Sequence, residues 1–211
     1  MAGTWRISQW PECEFHVFLS HSAEDRDDLI FPIKRALEAG GVVAWLDCHH
    51  YPIAAGSHEA LREALLRCRH LVYFVTSETL RQARGWIHAE RTYGELIQAH
   101  GRFFDKELFR YELPVFFVKN DHKTLLRSTW HSLMADKGRF FRAKRGSTKS
   151  DQINWAVEQI TSFIKKEQRR AVDIAHHVQH DPELFRRFSK EQHLMRRIAA
   201  ADPPELAPRM R

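Results

Sequence analysis

Residues 85–96, GWIHAERTYGEL, set Trp86 and Glu90 four positions apart in a run with helical periodicity. Side chains at i and i+4 share one helix face, so the indole lies beside the carboxylate and not across the helix from it. Two uses of such a pair are open. In the plainer one, the aromatic anchors the helix to a core and the glutamate sits at the edge in water. In the other, the pair belongs to a binding site, and the rest of the chain must decide between the two.

Other residue groups carry less chemistry. His176 and His180 have the spacing of metal ligands on a helix, but Lys and Arg lie nearby and no third ligand accompanies them, which favours a solvated face. His49 and His50 fall in an expected loop and are read the same way. Cys13, Cys48 and Cys68 form no CxxC pair and cannot all pair with one another, as expected of a reducing compartment. No GxGxxG, P-loop or GxSxG pattern occurs, so dinucleotide redox chemistry, P-loop hydrolysis and the common esterase elbow lack their signatures.

Short apolar runs alternating with helix-period segments must position these residues. FHVFLS (15–20), VVAWLD (42–47), HLVYFVTS (70–77) and LPVFFVKND (113–121) read as buried strands, and GRFFRA (138–143) as a fifth at an edge. Between the first two runs a helix is expected from Ser22, as N-cap, to a stop at Gly40 and Gly41, with Pro32 bending it. Further helices are expected over 57–68, through WIHAERTYGELIQAH, and over DQINWAVEQITSFIKKEQRR, where Ile153, Val157, Ile160 and Ile164 make one stripe. The alternation predicts an α/β, flavodoxin-like fold: a parallel five-stranded sheet with helices on both faces. Past Arg170 the stripe weakens and the tail is proline-rich, so residues 171–211 are expected to form a helical C-terminal extension with a frayed end.

Ligands of open parallel sheets bind outside the C-terminal ends of the strands. The residues at those ends are polar: Ser20 and His21, Asp47, Thr76 and Ser77, then Asn120 and Asp121. Polar residues must end any strand, so each alone is uninformative. Collected on one rim, with Trp86 and Glu90 near the exit of the third strand, they form a candidate site.

A hydrophobic content of 43% in 211 residues is enough to fill a core. The sequence has no run of eighteen apolar residues and its N-terminus lacks a continuous apolar stretch. Neither a membrane span nor a signal peptide is therefore expected, and a cytoplasmic location is. The net charge of +6 is concentrated in residues 100–149, which hold 12 Lys and Arg against 5 Asp and Glu. FRAKRGSTKS could meet phosphates, yet no helix-turn-helix, RRM or zinc-finger pattern accompanies it, so a solvated loop is expected and a nucleic-acid partner is not.

Three ordered motifs carry a resemblance to a known family. FHVFLSHSAED resembles the first conserved box of TIR domains, and VVAWLDCHHYPIAAGSHEALREALLRCRHLVYFVTSETL resembles their second box, BB loop and following elements. GWIHAE resembles the W-x-x-x-E motif, whose glutamate is catalytic in TIR enzymes that cleave NAD. The resemblance spans about residues 14–165. It implies a TIR domain over residues 14–170, with Glu90 catalytic and Ser20, His21, Asp47, Ser57, His58 and Trp86 contacting substrate. His58 stands just after the loop glycine, where some NAD-cleaving members place an aromatic against the substrate, while Asp47 and Ser57 would shape the loop and ribose region. The loop HHYPIAAG has neither the proline–glycine pair nor the hydrophobic tip of animal adaptor TIRs, and no arginine pair follows Ser20.

The implied chemistry suits a lone carboxylate. Ordinary glycosidases need two, because an alkoxide leaving group must be protonated while the oxocarbenium-like centre is stabilised or attacked. Nicotinamide in NAD is already cationic and departs neutral, which leaves only the positive charge on the ribose to be met. The expected products are nicotinamide and ADP-ribose, or a cyclic or conjugated ADP-ribose, with NAD as substrate and no cofactor. With no death, leucine-rich or nucleotide-switch segment in the chain, the organisation resembles bacterial Thoeris anti-phage TIR proteins. That implies self-association through TIR surfaces and a product that activates a separately encoded effector. The alternatives are a non-catalytic TIR interaction or adaptor module and a bacterial effector that interferes with host TIR signalling.

Overall fold

Phe15–Ser20 forms β1, and all of it beyond Phe15 is buried because helices cover both sides of the sheet. The computed structural model describes residues 14–50, 58–81, 86–104, 111–117, 139–141 and 146–180. Past β1 the chain does not enter one bent helix as expected. A single 3-10 turn (Ala23–Asp25) and a π-turn (Arg26–Ile30) come first, and α1 (Phe31–Ala39) begins with Pro32 in its first turn. Proline has no N–H to donate and its ring collides with the carbonyl four residues back; the wider π-turn ahead of it relieves both conflicts. At the other end the Gly40–Gly41 stop forms as expected. The Gly41 N–H donates to Glu38 O at 3.0 Å and the Val42 N–H to Leu37 O at 2.9 Å, with Gly41 at φ 83°, a conformation open to glycine.

The remaining elements are β2 (Ala44–Trp45), α2 (Asp47–His50), α3 (His58–Leu66), β3 (Cys68–Val75), α4 (Ser77–Arg81), α5 (Trp86–Phe104), β4 (Glu112–Phe116), β5 (Arg139–Phe140) and α6 (Lys149–His180). Of the run 42–47 only two residues pair as strand. One reason is a side-chain contact: the Val43 N–H is taken by His16 Nδ1 at 2.8 Å, a side chain in place of a ladder carbonyl. The edge strand at 138–143 is present as β5, and the run 113–121 is strand through Phe116, its last residues lying outside those described. Helix α6 starts two residues earlier than Asp151, on a reciprocal cap: the Asp151 N–H donates to Thr148 Oγ1 at 3.2 Å and the Thr148 N–H to Asp151 Oδ2 at 2.6 Å.

All five strands run parallel in the order β2-β1-β3-β4-β5. The order reverses between β1 and β3, which is the switch point where such sheets leave a crevice for ligands. One face packs Val17, Leu19, Val72 and Phe74 against Ile33 and Leu37 of α1 and Ala156, Ile160, Phe163 and Ile164 of α6; Ile153 and Val157 are half-buried on the same stripe. The opposite face packs Phe18, Trp45, Leu71, Tyr73 and Val75 against Leu61 and Leu65 of α3 and Ile87, Tyr93 and Ile97 of α5. Among the described residues no helix is long and apolar enough to cross a membrane.

Candidate active site

Helix α5 reverses the plain reading of its first turn. Its buried stripe runs Ile87, Glu90, Tyr93, Ile97, so the carboxylate is on the face turned to the sheet, only 8% exposed. Trp86, the residue expected to anchor the helix, is 37% exposed at the helix start. A glutamate on a core stripe is unfavourable unless something binds its carboxylate. Ser20, the last residue of β1, meets it: the hydroxyl donates to Glu90 Oε2 at 2.5 Å.

The helix is held close by residues that do no chemistry themselves. A Cβ at Gly94 would overlap the Tyr73 hydroxyl and stand 2.5 Å from Leu71 Cδ2, so only glycine permits this approach of α5 to β3. The Tyr73 hydroxyl donates to Glu112 Oε1 at 2.9 Å across the same gap. Gln98, on the same helix, accepts the backbone N–H groups of Tyr111 at 2.7 Å and Glu112 at 3.1 Å, fixing α5 against the start of β4.

Burial pushes the Glu90 carboxyl up to about 8, against the lowering effect of the Ser20 hydrogen bond and with a further raising contribution from the Asp47 charge. At neutral pH the free site therefore holds a carboxylic acid, which ionises readily when positive charge arrives beside it. Asp47 opens α2 and is paired with Arg26, whose guanidinium donates to Asp47 Oδ2 at 2.8 Å. His21 completes the rim. Its Nδ1 donates to Leu19 O at 3.0 Å, its Nε2 accepts from Arg26 Nε at 3.4 Å and lies 4.0 Å from Asp47 Oδ1. Burial pulls the His21 imidazole below its ordinary value, consistent with the neutral tautomer those two bonds define.

Ser20, His21, Asp47 and Glu90 thus converge at the C-terminal end of β1. His58 and Trp86 meet one another beside them, with ring centroids 5.4 Å apart. Ser57 lies outside the described residues, as do Asn120 and Asp121. Thr76 has a structural role at the end of β3. It accepts the Thr79 N–H at 3.2 Å as the cap of α4 and donates to Asp25 Oδ2 at 2.6 Å. Sequence reasoning passes over Arg26, which sits among Glu24, Asp25, Asp27 and Asp28 and reads as part of a charged face. It opens the π-turn, and from there its guanidinium reaches Asp47. The His176 and His180 side chains lie outside the described set.

Residues 17–139 match the TIR domain family. Among solved structures the chain is similar to the TIR domains in the structure of the activated Roq1 resistosome directly recognizing the pathogen effector XopQ. The TM-score is 0.50 at 15% identity, over 69% of this chain and 99% of that one. No curated protein matches the chain in sequence. The family match covers more than half of the sequence, and it runs from within β1 to the first residue of β5. The chain belongs to the TIR domain family.

Proposed function

We propose that the chain cleaves the nicotinamide–ribose bond of NAD, with Glu90 as the residue facing the reacting carbon. The observation that carries the reading is a carboxyl on the buried stripe of α5, hydrogen-bonded to Ser20 at the sheet's switch point and otherwise expensive to keep there. As the C1′–N bond breaks, its electron pair neutralises the pyridinium, so nicotinamide leaves without a proton. The ionised Glu90 stabilises the positive ribose. Water, an internal nitrogen of the adenine or another acceptor then attacks, and the proton released goes to Glu90. No cofactor enters this scheme.

Ser20 positions the carboxylate, Asp47 and Ser57 shape the ribose region, His21 holds the rim with Arg26, and Trp86 with His58 forms an aromatic wall. TIR domains form part of the Roq1 assembly, and self-association of this chain through its TIR surfaces is proposed likewise. In the fullest form of the reading, the product is a cyclic or conjugated ADP-ribose made in the cytoplasm that activates a separately encoded effector, as in Thoeris-type anti-phage defence.

The test is incubation of the concentrated protein with NAD and resolution of products by mass spectrometry. Release of nicotinamide with ADP-ribose, its cyclic form or a conjugate supports the reading. Absence of nicotinamide from a folded, self-associated sample would favour an interaction module.

The pH profile gives a second check. Because Glu90 must ionise, kcat/KM is expected to rise about tenfold per pH unit and to level near pH 8. The limb in kcat falls at lower pH, since the bound cation favours the carboxylate. Ser20→Ala removes the hydrogen bond that lowers the Glu90 value, so its kcat/KM limb moves to higher pH, with the larger loss at pH 7 and partial recovery at pH 9. An unshifted limb would show that Ser20 does not tune Glu90.

A further inference from the structure

Two polar atoms on α3 are buried and unsatisfied. On α3, His58 and Arg62 are one helical turn apart, and His58 Nδ1 and Arg62 Nε have no hydrogen-bond partner among the described residues. Buried polar atoms left in this state ask for a ligand or another explanation. The His58 ring lies 5.4 Å from that of Trp86 and 6.1 Å from that of Tyr93, so this face of α3 is turned to α5. Along α5, Trp86, Glu90 and Tyr93 follow at helical spacing, placing an aromatic one turn to either side of the carboxyl. Trp86 is the partly exposed member of the set.

We propose that the seam between α3 and α5, at the exposed Trp86, is a subsite for a flat aromatic ring bearing a carboxylate, with the ring against Trp86 and the carboxylate on Arg62 and His58. This deepens the NAD-cleaving reading and rests on it for the ring's role as leaving group. Any ring whose bond to ribose breaks at Glu90 must lie within a turn of that residue, and Trp86 offers aromatic surface there that solvent can reach. The ring's substituent then faces an always-cationic guanidinium and an imidazole nitrogen. A carboxamide presents one acceptor and one donor group, and its NH2 would meet further donors. A carboxylate presents two acceptors and the complementary charge, and forms charge-assisted bonds with Arg62. The buried Glu90 is predominantly uncharged at pH 6.5 and does not repel it. The substrate class therefore extends to a dinucleotide whose pyridine carries a carboxylate in place of the carboxamide.

Calorimetric titration of the full chain at pH 6.5 with pyridine-3-carboxylate and with pyridine-3-carboxamide tests this directly. The carboxylate is expected to bind about tenfold more tightly. Arg62→Met should bring the two ligands within about twofold, while Arg62→Lys, which retains the charge, should keep part of the preference. Equal or weaker binding of the carboxylate by the wild-type protein overturns the subsite, and so does a preference that survives Arg62→Met. NAD turnover on the same preparations separates the two readings. A carboxylate preference without turnover leaves the subsite standing and removes the proposed activity; turnover without the preference does the reverse.

Discussion

Glu90→Gln is expected to lower NAD cleavage about a thousandfold while leaving the fold intact, the scale of loss when one preorganised electrostatic contact to a transition state is removed. Glutamine has the size and hydrogen-bonding reach of the neutral acid, so the Ser20 hydroxyl keeps an oxygen to donate to. It cannot become an anion. The same substitution changes the pH dependence of stability in a direction that a merely structural glutamate on the surface would not produce. Folded Glu90 titrates near 8, while the unfolded chain should titrate near 4.5. Between those values the native state holds a proton that the unfolded state has lost, so wild-type stability falls as pH rises through this window. The loss is complete above about pH 8 and is of order 5 kcal/mol. Glu90→Gln removes that slope, so the variant should match the wild type near pH 5 and exceed it near pH 9. Denaturant titrations at those two pH values, paired with nicotinamide release, check both halves. Parallel pH profiles of stability would mean that the Glu90 carboxyl is solvated after all.

Gly94→Ala is expected to destabilise the protein by about 1–3 kcal/mol although alanine is the better helix former. The added methyl would overlap the Tyr73 hydroxyl and crowd Leu71, both fully buried on β3, so either α5 moves outward or the Tyr73–Glu112 hydrogen bond breaks. Overpacking of this kind exceeds the gain in helix propensity, which is at most about 1 kcal/mol. Glu90 stands one turn ahead of Gly94 on the same helix, and an outward shift lengthens its contact with Ser20. Activity should therefore fall at least tenfold even at a temperature where the variant is fully folded. Thermal melts give the first effect and turnover at 15 °C below the melting point the second. A stable variant with unchanged turnover would show that α5 tolerates the displacement.

The strands were legible because each is a near-continuous apolar run, and the parallel sheet followed from their alternation with helical segments. Edges were less so. The shortening of β2 depends on a His16 side chain taking the Val43 N–H, a contact between residues that no local pattern connects. Pro32 announced a disturbance in the first helix, but proline alone does not distinguish a bend from a π-turn followed by a fresh start. At the site, the rim residues Ser20, His21 and Asp47 could be found from the rule about strand ends, and Glu90 from its motif. The burial of Glu90 with Trp86 exposed could not, since i, i+4 spacing fixes a shared face and leaves open which of the two points inward. Arg26, Arg62 and Tyr93 were hidden for a similar reason. Each owes its place to an opposite element, α2 for the first and the facing helix for the others.

The Ser20–Glu90 hydrogen bond joins residues 70 positions apart, on a strand completed early and a helix that follows three of the five strands. A chain leaving the ribosome has β1 in hand long before α5 can dock, and until then Glu90 is an ordinary solvated carboxylate with no cleft around it. Non-local contacts of this kind form late, after loop closure has been achieved. In nascent and partly unfolded molecules the candidate site therefore does not exist, and it is assembled in the step that docks α5 on the sheet.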